Sequence, residues 1–241
     1  MLVKSKWHLF YAAATASSLI LAADALAHDK LAVKDVITAL LAMLSTFMGA
    51  TLAFRLTETK ESERQLKEQR EALNWALFIV TRQSNAIASL KKEADKFISP
   101  FERAINLPAL KPPSYTDLIQ NFTSLDFMLA DNPNLLFLLT VEQECFHQAI
   151  SSLNVRNDFY VNELQPVISK LRINRKYFSE LELEAALGDR LFHGTINGMT
   201  VAYDHLSKSN VSLSVVHAAL LEYARSRFPG HKFVAFERTA N

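Results

Sequence analysis

Nineteen consecutive residues without a charge, VITALLAMLSTFMGATLAF at 36–54, set the first limit on this chain. As a helix rising 1.5 Å per residue, the run covers roughly 28 Å, close to the hydrocarbon thickness of a bilayer. The competing explanation is a buried helix of a soluble domain, but core helices this long ordinarily carry a polar stripe. Arg55 closes the run, and the first 56 residues hold only five Lys/Arg and three Asp/Glu.

A second apolar stretch precedes it. Residues 7–23 are uncharged, Asp24 interrupts, and Ala25-Leu26-Ala27 completes the run as an A-x-A site. Two readings stay open. One is a secretory signal peptide, removed to leave a single anchor. The other, which we favour, is a retained hairpin over residues 1–56 with spans at about 8–27 and 36–55. Lys4 and Lys6 flank one outer end, and Arg55, Lys60, Arg64 and Lys67 flank the other. That distribution predicts both outer ends inside by the positive-inside rule, although Lys30 and Lys34, accompanied by Asp29 and Asp35, occupy the short loop.

Small and polar residues mark packing faces within the spans. Ser45, Gly49 and Ala53 recur at every fourth position, which lets another backbone approach closely. Ala13, Ser17 and Asp24 share a face of the first segment, and an ionisable residue in a span is a functional candidate by default.

From Arg55 onward the pattern is that of a charged helix. Leu66, Leu73, Leu77, Val80 and Ile87 keep a helical stripe, and no Gly or Pro intervenes before Pro100. The second span is therefore expected to continue as one rod of about 60 residues, roughly 90 Å long. Pro108, Pro112 and Pro113 mark a linker near residues 100–114. Further helices are expected at 115–130, from an Asp131-Asn132-Pro133 start toward Pro166, at 180–206, and at 212–227. Phe228-Pro229-Gly230 ends the last of these, and residues 232–237 alternate like a short strand or extended tail. The fold class is all-α: a transmembrane hairpin, a long stalk helix and a helical bundle at 57–241.

Composition removes several function classes. A net charge of +1 argues against a broad basic surface for nucleic acid, and the single cysteine, Cys145, excludes an internal disulfide or a multi-cysteine zinc site. No phosphate-cradling glycine loop or nucleophile elbow occurs. No cofactor, metal or direct nucleic-acid contact is expected.

Three local patterns have a chemical reading. Glu144-x-x-His147 matches half of a di-iron bundle site, but the second Glu-x-x-His that such a site needs does not occur. Cys145 between them reads as a packed thiol. Arg82, Asn85, Asn154, Arg156, Asn157 and Glu163 form a polar set on two long helices expected to pack together. Either they make a buried network that fixes helix register, or they make a ligand or partner site. Arg225 and His231, five residues apart, resemble the R-x4-6-H spacing of HEPN ribonucleases. That resemblance implies an arginine and a histidine from two protomers meeting to cleave RNA, with the histidine as acid/base. Phe228-Pro229-Gly230 falls inside the spacing, where it is expected to break the helix that carries the motif.

Four stretches resemble a group of bacterial membrane proteins with two N-terminal membrane helices and a helical cytoplasmic domain. They are ALNWALFIVTRQSNAI at 72–87, DNPNLLFLL at 131–139, ECFHQAISSLNVRNDFYVNELQP at 144–166 and FPGHKFVAFE at 228–237. Proteins of this build are similar to effectors encoded beside retron reverse transcriptases and other phage-defence modules. The resemblance implies a multi-pass protein of the bacterial inner (plasma) membrane with its C-terminal domain in the cytoplasm, and the helical bundle is expected to oligomerise. It implies no enzyme activity. The implied role is to damage the membrane once a partner, such as a reverse transcriptase–nucleic acid complex, releases it. A membrane-tethered HEPN-type ribonuclease and a plain scaffold are the alternatives.

Overall fold

The computed structural model describes Ala23 and residues 33–110, 112, 115–172 and 179–235. Among them there are helices and connecting turns and no β-strand. The α-helices are α1 (Val33–Ala94), α2 (Pro100–Asn106), α3 (Met128–Asp131), α4 (Pro133–Phe159), α5 (Gln165–Lys170), α6 (Glu180–Leu187) and α7 (Asp189–Arg227). The chain divides into two units, Met1–Gln65 and Leu66–Asn241, and α1 contributes to both.

In the first unit the expected long helix is present, uninterrupted from the apolar run into the charged one. Its apolar part has a mean hydropathy of 1.8 with none of it buried. It is one helix long and apolar enough to cross a membrane. Leu41, Leu44, Phe47, Met48, Leu52 and Phe54 all stand exposed. Its hydroxyls return to their own backbone: Ser45 Oγ and Thr46 Oγ1 donate to Ala42 O at 2.9 and 2.8 Å, and Thr51 Oγ1 donates to Phe47 O at 2.8 Å. In hydrocarbon an unmet hydroxyl is costly, and this bonding removes the problem within the helix itself. Apart from Ala23, the span expected at 8–27 lies outside the described residues, as do Ser17 and Asp24.

The second unit is held by α1 from Leu66 onward, α4 and α7. Leu73, Leu77, Val80 and Ile87 of α1 meet Leu139, Phe146 and Leu153 of α4 and Leu206, Leu213 and Leu220 of α7 in one cluster. All are essentially excluded from solvent, and each is worth about 1.5–3 kcal/mol in burial. A smaller cluster gathers Ile105, Tyr160, Leu164, Ile168, Leu183, Leu187 and Phe192 around the far ends of α4 and α6.

Several boundaries differ from the sequence expectation, each for a local reason. The linker expected near 100–114 begins with a helix, α2, because Ser99 and Glu102 form a reciprocal capping box and Pro100 sits at the first turn. No helix fills 115–130. Residues 115–121 are irregular, followed by a 3-10 turn at Phe122–Leu125 and the short α3. Glutamine side chains satisfy that backbone instead: Gln83 Nε2 donates to Leu118 O at 2.8 Å, and Gln120 N donates to Gln143 Oε1 at 3.0 Å.

Asn132 caps α4 as expected, its side chain accepting from Leu135 N with Pro133 in the first turn. The helical path does not stop before Pro166. A π-turn at Tyr160–Leu164 widens the ladder, with Gln165 N donating to Tyr160 O, and α5 continues beyond it. The extra residue relieves the clash between a proline ring and the carbonyl four residues back. The helices expected at 180–206 and 212–227 are divided elsewhere. The break falls at Gly188, whose φ of 76° suits glycine, and α7 then runs unbroken through the polar stretch 207–210. Residues 231–235 are neither helix nor strand, and Val234 N donates to Asn74 Oδ1 at 2.9 Å.

Candidate functional site

The polar set expected between two long helices resolves into separate pieces. Arg156 and Asn157 form its one buried part. Arg156 is 3% exposed; its Nη1 donates to Pro108 O at 3.2 Å and to Asn157 Oδ1 at 3.1 Å. Its Nη2 donates to Ala104 O at 3.1 Å and Leu107 O at 2.6 Å. Asn157 Nδ2 donates to Leu110 O. The guanidinium thus covers the carbonyls that α2 leaves open at its C-terminus, where a cation is also favoured by the helix dipole. The guanidinium also stacks on the Tyr160 ring, 4.6 Å from its centroid. Its hydrogen bonds to the carbonyls of Ala104, Leu107 and Pro108 give the arrangement a structural role.

The other members lie elsewhere. Arg82 is exposed, pairs with Asp117 and sits 5.7 Å from the Phe78 ring centroid. Glu163 pairs with Arg190 of α7. Asn85 and Asn154 are exposed. They do not share one site, because α1 turns different residues toward α4. The polar contact between those two helices is made by Gln83 and Gln143, 3.0 Å apart, and Gln120 of the irregular segment donates from Nε2 to Ala76 O at 3.0 Å. Sequence reading missed these glutamines because they occupy core positions within an otherwise apolar stripe.

Arg225 and His231 are both exposed. Helix α7 ends at Arg227, as the Phe-Pro-Gly turn predicts, and Gly230 takes φ 82° before His231. The His231 ring packs edge-on against Phe228, 6.3 Å between centroids. Glu144 and His147 are exposed too, with His147 Nε2 3.0 Å from Gln143 Nε2. Burial first, and then the charges of Glu142 and Glu144, push the Cys145 thiol up, the wrong direction for a nucleophile.

Groups that the sequence did not single out were also found. Glu184, Asp189 and His193 bring three potential ligand atoms within 4.8 Å of one another on an open surface. His193 Nε2 lies 3.3 Å from Glu184 Oε1 and 3.4 Å from Asp189 Oδ1, so the three side chains already contact one another. Glu142 is buried against α7 and accepts from Ser212 Oγ at 2.7 Å; burial raises its pKa. His217, also buried, has no hydrogen-bond partner for Nε2, and burial lowers its pKa. A cleft of about 120 Å³ lies between Val155, Phe159 and Tyr160 of one helical path and Gly194 and Gly198 of α7. Pockets for drug-sized molecules hold roughly 300–1,000 Å³.

Among the described residues, then, the feature with the largest functional content is the apolar face of α1, on which Ser45, Gly49 and Ala53 are all exposed. A Cβ built on Gly49 meets nothing within 4 Å. Compared with family models, with curated proteins and with solved structures, the chain gives no match in any of the three.

Proposed function

We propose that this is a membrane-anchored effector of bacterial antiviral defence, which disrupts the inner membrane when a partner releases it. In this reading a transmembrane hairpin occupies residues 1–56, and the helical unit that follows is cytoplasmic and oligomerises. The observation that carries it is the apolar stretch of α1, exposed on every side and continuous with a charged helix. Such a surface needs lipid or other membrane helices around it. The defence role rests on the similarity of this build, two membrane helices followed by a helical cytoplasmic domain, to retron-type effectors. The exposed placement of Arg225 in the last turn of α7 and of His231 beyond that helix's end favours a non-enzymatic protein over a HEPN-type ribonuclease.

The test is unrestrained expression in bacteria carrying a voltage-sensitive dye. Loss of membrane potential together with growth arrest is expected. Toxic expression at unchanged potential overturns the effector reading, and RNA cleavage by the purified chain puts the ribonuclease in its place. A membrane-inserted chain that is not toxic leaves a scaffold. Topology is checked independently: a fluorescent protein fused after Asn241 should report from the cytoplasm, and N-terminal sequencing should begin at Met1 or Leu2. A mature chain beginning at His28 overturns the hairpin.

A further inference from the structure

The end of the second unit at which α1 first becomes covered carries a polar cluster that the membrane reading does not use. Residues 41–68 of α1 are exposed, and Gln69 is the first with partial cover. Its Oε1 accepts from Arg227 Nη2 at 3.0 Å. The other terminal nitrogen of that guanidinium donates to Asp131 Oδ2, which also accepts from Tyr223 OH at 3.2 Å. Arg227 lies 5.5 Å from the Phe127 ring centroid and 5.9 Å from that of Phe228. One arginine at the end of α7 therefore joins α1 to the short α3 that precedes α4.

The opposite end of the same stretch of α1 is fastened differently. Tyr203 OH donates to Asp95 Oδ1 at 2.7 Å, Lys91 Nζ reaches Asp95 Oδ2 at 2.6 Å, and the Arg103 guanidinium stacks 3.7 Å from the Tyr203 ring centroid. There the chain also turns directly into α2, so separation from that end is opposed by connectivity as well. At the Gln69 end no such turn exists. The side chains of Arg227 and Asp131 keep 29% and 35% of their exposure, so water and competing ions reach them. Arg227 Nε, in contrast, is buried without a hydrogen-bond partner. The clasp is therefore open to competition and incompletely satisfied, which suits a contact that breaks and re-forms.

We propose that Arg227, Asp131 and Gln69 form the release point of the helical unit: α1 separates from α4 and α7 beginning at Gln69, and this clasp sets how often it does. The separation would then be the event by which a partner controls the membrane activity. That regulatory consequence rests on the function proposed above, whereas the local opening does not.

Hydrogen–deuterium exchange on the full chain in phospholipid nanodiscs tests it. Asp131→Asn is expected to speed exchange over residues 69–80 by about tenfold while residues 84–94 stay within about twofold of the unmodified chain. Arg227→Gln should behave alike, and the double variant should fall well short of the product of the two, because both remove one interaction. Tyr203→Phe provides the comparison at the other end and should loosen residues 88–98 alone. Unchanged exchange over 69–80 in either single variant, an equal rise across 69–94, or fully multiplicative effects overturns the clasp. In cells, Asp131→Asn should depolarise the membrane at lower expression than the unmodified chain, and equal thresholds overturn its regulatory role. If neither chain depolarises the membrane, the proposed function fails and the exchange result still decides the clasp.

Discussion

Arg156 Nη2 stands 2.6 Å from the carbonyl oxygen of Leu107, the residue that caps the C-terminus of α2. The contact fixes where the chain turns after α2, because the same guanidinium also holds the carbonyls of Ala104 and Pro108. Arg156→Leu keeps the volume but strands those acceptors in a buried place. Each buried unmet group costs about 1–3 kcal/mol, so a loss of about 3 kcal/mol is expected. Chemical unfolding of the second unit, followed by circular dichroism in detergent, measures it. A loss below about 0.5 kcal/mol, the range of ordinary surface changes, contradicts this account.

Glu142 and His217 give the unit opposite pH sensitivities. Burial raises the Glu142 pKa, so its contribution to stability is complete below the ordinary glutamate range and is lost as pH rises through the raised folded value. Burial lowers the His217 pKa, so its contribution is complete above the unfolded value of about 6.5 and is lost as pH falls through the depressed folded value. Glu142→Gln should therefore raise stability near pH 7 and remove the decline on the alkaline side of the glutamate range. His217→Phe should remove the decline below about pH 6.5. Melting temperatures across that range test both.

Gly198 and Gly194 occupy the same helix one turn apart but face different surroundings. A Cβ on Gly198 meets nothing within 4 Å, whereas one on Gly194 lies 3.1 Å from Phe159 Cζ. Gly198→Ala should stabilise α7 by about 1 kcal/mol, the helical preference of alanine over glycine. Gly194→Ala should gain less than Gly198→Ala, since the Phe159 ring has to shift. Equal gains would show that the ring moves freely into the neighbouring cleft.

Arg225→Ala with His231→Ala should leave both stability and any toxicity unchanged, because each side chain is exposed beyond or at the end of α7. A change within about 0.5 kcal/mol is expected from such surface positions. A folded double variant without toxicity would restore the ribonuclease reading.

Gly49→Leu is a clean probe of association in the membrane. Nothing in the chain's described residues opposes the added side chain, and leucine raises both helical preference and hydrophobicity. Insertion should therefore persist, while close approach of a second helix is blocked. Full membrane-damaging activity in this variant would remove the Ser45–Gly49–Ala53 face from the mechanism.

The parts of the fold that were legible in the sequence are those written in local chemistry. The unbroken run through α1, the Asn132-Pro133 start of α4 and the stop at Phe228-Pro229-Gly230 all act through residues adjacent to the boundary they set. The capping box of Ser99 and Glu102 was equally local but was obscured by the prolines that follow it. What stayed hidden depends on distant partners. The irregular backbone around Leu118 exists because Gln83 and Gln143 supply its hydrogen bonds from 35 and 25 residues away. The serines and asparagine at 207–210 look like a helix break, yet Ser209 is buried and α7 passes through, held by packing on both sides. The candidate site was legible only as residue types. Which of Arg82, Arg156 and Glu163 met which partner was decided by helix rotation, which composition does not encode.

The π-turn at Tyr160–Leu164 means that this helical path contains one residue more than a regular ladder of the same height. Everything beyond it is consequently offset in phase by about 100°, the angle one residue subtends on an α-helix. Ile168 owes its place in the smaller core cluster to that offset. The length of this segment is thus as strongly constrained as its composition: a single deletion would turn Ile168 away from Leu183 and Phe192 and bring Pro166 against the turn before it, even though no side chain in the cluster had been altered.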